Sequence, residues 1–255
     1  ASLIKTPSYF QCSALKIITE CFSGCVNLES SDPLPVNVME ADYAFQNCEK
    51  MSNAPDMTKT NALSSINGIL KGCTSLVEAP VIPDSVLDMT EAFAGDSNIY
   101  TASVFPENVE NISSAYLECI SLEKAAAIPS SVLDCISCYE GCSNLYGELA
   151  INTNTDKCDR LLYNAVSSGN ILILKGKSGR LFEIQQDSES RYVTIKDTEK
   201  AEKYAKKLEY IAKDEERSKS AQCARIIEKF IDDYEQQHGT IKNLNIIDNK
   251  GTINM

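Results

Sequence analysis

At 255 residues, with a formal net charge of −12 and 43% hydrophobic residues, the chain is long enough to bury a sizeable core in one or two domains. No run approaches the roughly 18 apolar residues a membrane span needs, which argues against membrane insertion, and residues 1–20 lack the charged-then-apolar layout of a signal peptide; Ala1 at the start leaves a leader or an upstream region open. The acidity belongs to the first part, where residues 1–150 hold 19 Asp and Glu against 6 Lys and the remainder holds 17 acids against 18 bases; such a surface repels phosphate backbones and argues against nucleic acid as a partner.

From the N-terminus onward one pattern recurs: an aromatic or large aliphatic residue, then Cys three positions later, then an aliphatic residue three later. Its instances are Phe22–Cys25–Leu28, Phe45–Cys48–Met51, Leu70–Cys73–Leu76, Phe93–Asp96–Ile99, Tyr116–Cys119–Leu122 and Tyr139–Cys142–Leu145. Successive positions in the Cys column are 23, 25, 23, 23 and 23 residues apart. Further columns keep the register. Leu34–Pro35, Ile82–Pro83, Phe105–Pro106 and Ile128–Pro129 form one, and Val38, Val86, Val109 and Val132 another. Later come Ile18, Ala41, Ile66, Met89, Ile112, Cys135 and Cys158, then Cys21, Ala44, Ile69, Ala92, Ala115, Cys138 and Leu161.

Columns in register over about 150 residues predict a solenoid of about 23 residues per coil, each coil stable only when stacked on its neighbours. About five inward side chains per coil contribute roughly 1.5–3 kcal/mol each on full burial, before entropy is subtracted. The prolines, with φ fixed near about −65° and no N–H, suit the exit from a short strand. A segment such as "SVLDMTEAFAG" then returns to the next coil, with a helical or 3₁₀ turn as one option.

The segments "CTSLVEAPVIPDSVLDMTEAFAG" and "ISLEKAAAIPSSVLDCISCYEGC" resemble the BspA-like class of leucine-rich repeats, whose pattern runs L-x-x-x-x-x-L-P-x-x-V-x-x-I-x-x-x-A-F-x-x-C. The resemblance covers about residues 9–168. It implies an α/β fold, a right-handed superhelix with short parallel strands stacked on its concave side, and surface-displayed proteins that bind host or partner proteins. Three departures stand out. The second repeat carries two extra residues around Thr58–Leu63, Asp96 replaces the fourth Cys, and Cys12 to Cys25 spans only 13 residues, as a trimmed edge or cap would.

Nearly all of the 11 cysteines sit in these columns, which explains them as reduced core thiols stacked about 5 Å apart. Neighbouring rungs lie within reach of a disulfide, although in-register geometry tends to point their Cβ atoms in parallel. The run Cys135, Cys138 and Cys142, with Cys158, superficially resembles a metal site; yet equivalent positions hold Met89, Ala92 and Asp96, and Ile112, Ala115 and Cys119, so the thiols replace apolar residues. No metal or cofactor is expected.

Other catalytic signals are weak. His238 is the lone histidine and precedes Gly239 at a helix end, where a cation is simply well placed. "LKGKSGRL" lacks phosphate-loop spacing and reads as a hairpin turn. The carboxylates form no evident acid and base pair. Asn111–Ile112–Ser113 matches the glycosylation triplet, but Ile112 belongs to a core column.

Residues 1–168 thus read as the repeat solenoid and 169–255 as a small α+β cap or attachment region. In the latter, strands are predicted at Asn170–Lys175, Arg180–Gln185 and Arg191–Lys196, the first continuing the solenoid sheet and the others covering its open end. Asp197 or Thr198 caps a helix with Ala201, Tyr204, Leu208 and Ile211 on one face; a second stripe holds Ala224, Ile227, Phe230, Ile231 and Tyr234, with Cys223 on the same helix. These helices either pack on a neighbouring sheet or mediate oligomerisation or docking through residues 197–238. "TIKNLNIIDNKGTINM" closes on a strand, a turn and a strand.

The expected function is a non-catalytic protein-binding or adhesion module, extracellular, on a cell surface or on a virion; the alternative is a structural component of a larger assembly, attached through the C-terminal region. The predicted contact face is the row of exposed strand positions Glu29, Ser30, Asp56, Val77, Glu78, Val81, Tyr100, Thr101, Glu123, Lys124 and Tyr146, with Tyr100 and Tyr146 as anchors.

Overall fold

The computed structural model describes residues 3–9, 12, 14–153, 155, 157–167, 170–176, 181–186 and 193–197. The expected helices of residues 197–238 and the closing strands lie outside them. The repeat appears as stacked coils whose equivalent residues lie beside one another. Parallel bridges join Ile17, Glu40, Ser65, Asp88, Asn111 and Asp134 in one row, Lys5, Ser30 and Asn53 in a second, and Thr101 and Lys124 further along that second row.

These coils contain bridges rather than the extended strands expected of them, and no helix occurs among the described residues. The return segment shows why. Two positions per coil adopt left-handed backbone: Glu20, Tyr43, Gly68, Glu91, Ser114, Ser137 and Arg160 at φ of 54 to 58°, then Gly24, Asn47, Gly72, Gly95, Glu118, Gly141 and Asn164 four residues later. A helix needs consecutive right-handed residues, so this alternation forbids one and leaves a chain of turns. Alternate amides then point in different directions. In the second coil, Ala41, Tyr43, Phe45 and Asn47 donate to Ser65, Asn67, Ile69 and Lys71 of the next coil at 2.6–3.1 Å. Ala44, Gln46 and Cys48 instead donate three residues back within the coil at 3.2 Å. Every such amide is satisfied, which offsets the roughly 1–3 kcal/mol of strain at each non-glycine left-handed residue.

Gly68 is the one glycine in its column, and its neighbour explains why. A Cβ there would overlap the ring of Tyr43, which lies across it with its hydroxyl donating to Glu91 of a third coil at 3.4 Å. At Gly95 a Cβ would meet nothing closer than 4.0 Å. Gly68→Ala is therefore expected to destabilise the protein by about 2–3 kcal/mol and Gly95→Ala by about 1 kcal/mol, read as shifts in urea midpoint.

Inside the stack the sequence columns form the core. Leu28, Met51, Leu76, Ile99, Leu122 and Leu145 are buried, as are Val38, Leu63, Val86, Val109 and Val132. The two-residue insertion is absorbed by turns in which buried Thr60 donates its N–H and hydroxyl to the Met57 carbonyl, so Leu63 still takes the valine position. Aromatic rings stack between coils, Phe22 on Phe45 at 5.3 Å, Phe93 on Tyr116 at 5.0 Å and Tyr116 on Tyr139 at 5.7 Å between centroids, with Leu70 interrupting the run.

The thiols of Cys48, Cys73, Cys119 and Cys142 each donate to the carbonyl of the aromatic-column residue in the preceding coil, Phe22, Phe45, Phe93 and Tyr116, at 2.9–3.2 Å. Three expected members of the buried columns need correction. Cys21 is exposed and Cys25, like Phe22, is only half-buried, because no full coil covers this end of the stack.

At the other end lies a four-stranded sheet in the order β1 (Gly147–Ile151), β2 (Ile171–Gly176), β3 (Leu181–Gln186) and β4 (Val193–Asp197). β1 belongs to the last 23-residue coil and pairs parallel with β2, Gly147 facing Leu172, so β2 prolongs the stacking direction. β3 and β4 follow antiparallel. Leu149, Ile151, Leu172 and Leu174 are buried beneath this sheet.

Candidate functional site

Residues immediately after the Leu28 to Leu145 core column leave the interior in an extended stretch. Side chains on either side of Ala54, Ala79, Ala102 and Ala125 point outward, while these small residues themselves rest on the core. Backbone donation from Ser52 to Glu29, Glu123 to Tyr100 and Tyr146 to Glu123, at 3.0–3.2 Å, fixes the spacing of the outward residues from coil to coil.

All the predicted contact residues fall on this row. Glu29, Asp56, Val77, Glu78, Val81, Tyr100, Glu123, Lys124 and Tyr146 are exposed; Ser30 and Thr101 are half-buried beside the bridges they make. Val81 is 70% exposed and Val104, one coil later in the same column, 83%, which makes Val104 the most exposed large apolar side chain among the described residues. The sequence reading omitted Val104, although it stands one coil beyond the predicted Val81 in the same column.

The tyrosines are tied down. Tyr100 donates its hydroxyl to Glu78 and Tyr146 to Glu123, both at 2.9 Å, each acid standing on the preceding coil. These carboxylates, accepting from the phenols, hold both tyrosine pKa values above the ordinary range and keep the hydroxyls protonated. Ring positions are thus set before any partner arrives, and the residual charge is acidic, with Lys124 as the base on the row. Asp56 has a local task as well. It accepts the Thr58 hydroxyl at 2.7 Å and the Thr58 N–H at 2.9 Å at the start of the insertion, and these bonds lower its pKa.

Chemistry is scarce around the row. Among the described residues, no three His, Cys, Asp or Glu side chains are grouped so as to hold a metal ion. Burial pushes the Cys48 thiol up to about 12, and those of Cys73, Cys119 and Cys142 also rise for the same reason, so none of them is a thiolate nucleophile near neutral pH. Asp96 is fully buried within the stack, away from solvent. His238 lies outside the described residues.

Its repeat columns and stacked coils are what the chain shares with leucine-rich repeat proteins. Solved structures similar to it include the T. pallidum leucine-rich repeat protein, at 25% identity and a TM-score of 0.49 over 59% of this chain and 74% of that one. A leucine-rich repeat protein from Bacteroides ovatus is similar at 23% identity and a TM-score of 0.45, over 55% of this chain and 37% of that one. No protein-family model and no curated protein matches the sequence.

Proposed function

We propose that this leucine-rich repeat chain is a non-catalytic protein-binding module, displayed outside the cell or on a particle, and that it binds through the outward row from Glu29 to Tyr146. The observation that carries the reading is the juxtaposition of Val77, Val81, Tyr100 and Val104 as exposed apolar groups on consecutive coils, with Glu78 and Glu123 holding the tyrosine rings in place. Apolar and aromatic side chains that a rigid backbone presents to water lose little entropy when a partner covers them, and such residues carry most of the energy of protein interfaces. The acidic rim favours partners with Lys or Arg around an apolar centre. Extracellular placement is what the BspA-like repeat pattern implies.

The test is a binding screen of the full chain against an array of extracellular and cell-surface proteins, followed by titration of whatever binds. Tyr100→Ala and Val104→Asp are each expected to weaken binding at least about 10-fold, equivalent to about 1.4 kcal/mol, while Glu107→Ala in an exposed turn outside the row leaves it unchanged. Binding of every partner at wild-type strength by both row variants would refute the face.

A further inference from the structure

The last complete coil carries a feature that binding through the outward row does not use. Cys135 and Cys158 occupy the same column on adjacent coils, and the Cys135 N–H donates to the carbonyl of Lys157 at 2.8 Å, which sets the two residues side by side. Elsewhere the column thiols of Cys48, Cys73, Cys119 and Cys142 are directed at backbone carbonyls. The Cys135 thiol has no such carbonyl partner among the described residues and stands beside the Cys158 side chain, whose proximity raises its pKa further. Cys135 is sealed from solvent, whereas Cys158 retains 5% of its surface.

We infer that Cys135 and Cys158 form a reversible disulfide clasp between the last two coils, closed by a small-molecule disulfide such as oxidised glutathione. The order of steps follows from accessibility. The Cys158 thiolate attacks one sulfur of the oxidised glutathione and expels a glutathione thiolate, leaving a mixed disulfide on Cys158. When the outer coil opens and lets water reach it, Cys135 gives its proton to solvent, attacks the Cys158 sulfur and expels the second glutathione thiolate. Two cysteine protons are released in all, and the two electrons given up by the cysteines reduce one glutathione disulfide to two thiols. Cys158 lies on the outermost 23-residue coil and keeps some exposed surface, and local opening of an outer coil gives the reagent its path. Once formed, the bond ties the coil bearing Cys158 and β2 beyond it to the body of the stack.

The full chain is incubated to equilibrium in buffers of increasing oxidised to reduced glutathione ratio, quenched in acid, unfolded, alkylated and digested without reduction. Mass spectrometry of the peptides is expected to show a link between the segments carrying Cys135 and Cys158 that reverses in reduced glutathione. Cys158→Ser and Cys135→Ser should each abolish it and Cys138→Ser should not. Two results would overturn the inference. One is that Cys135 and Cys158 stay reduced at ratios where exposed Cys12 and Cys21 are already glutathionylated; the other is that the link from Cys158 runs to Cys138 or Cys142.

Discussion

Tyr139→Ala is expected to destabilise the protein by about 3–5 kcal/mol, the usual range for deleting a buried aromatic side chain. Three consequences converge at this residue. Its ring closes the stack on Tyr116, its volume fills the interior of the last coils beside Phe105, and its hydroxyl accepts the Ala126 N–H and donates to the Ala126 carbonyl, each at 2.9 Å. Tyr139→Phe separates these contributions, since it keeps the ring and loses the hydrogen bonds. Ala126 is half-buried, so water partly replaces the missing hydroxyl, and a loss of about 1 kcal/mol is expected. Urea unfolding of the two variants measures both numbers. In a stack coupled through nearest neighbours, the alanine variant should also lose hydrogen-exchange protection in residues 135–165 before it does so in residues 40–70. A cost below about 1 kcal/mol for Tyr139→Ala would mean that the ring does not lie in the packed interior.

The second large effect is a pH dependence that originates at Asp96. Its carboxyl is fully buried in the thiol column; Oδ1 accepts the Cys73 N–H at 2.7 Å, while Oδ2 is the one buried side-chain oxygen without a partner among the described residues. An ionised carboxylate would not be held this way. Burial, outweighing the amides of Cys73 and Gly72, drives its pKa well above the 3.8 of an exposed aspartate. As a neutral acid it keeps its proton, as the thiols of the same column keep theirs. The titratable groups around it, Cys73 and Cys119, are themselves held protonated by burial.

The sign is fixed by which state holds the proton. Above pH 3.8 the unfolded chain releases this proton and the folded chain keeps it, so the stability due to Asp96 is fully present below that pH. It falls by about 1.4 kcal/mol per pH unit until the folded group ionises as well. Asp96→Cys restores the column and removes the titration. The stability advantage of the variant over wild type should therefore grow by about 1.4 kcal/mol per unit across the mildly acidic range. Parallel pH profiles for the two proteins would show that Asp96 is not retained as a neutral acid.

Much of this fold is legible because the core is written one column at a time. Phe45, Cys48, Met51 and Val38 announce their burial by recurrence alone, and the insertion at Thr58–Leu63 is legible because the columns resume after it. The left-handed ladder was not legible. Its first column holds Glu, Tyr, Gly, Ser and Arg, since hydrogen bonds to the next coil rather than residue type impose the conformation. The same reason defeats the expectation of a helical return. Cys21 and Cys25 illustrate a different limit, because a column states what faces inward but not which coil is last. Asp96 was visible as a departure, whereas its protonation depends on burial that one sequence cannot reveal. On the outward row, the column that exposes Val81 also exposes Val104, and the capping bond of Asp56 to Thr58 depends on a turn made by the insertion.

The stack itself is tested most directly by nuclear Overhauser contacts between methyl groups of the Val38, Leu63, Val86, Val109 and Val132 column in a methyl-labelled sample. Coils lying on one another place neighbouring members about 4.7–4.9 Å apart along the backbone and next-nearest members about twice as far. The expected result is a ladder in which Val86 contacts Leu63 and Val109 but neither Val38 nor Val132. Contacts that skip rungs, or a Val86 with neighbours from only its own repeat, would contradict the stacked coils from which every other conclusion follows.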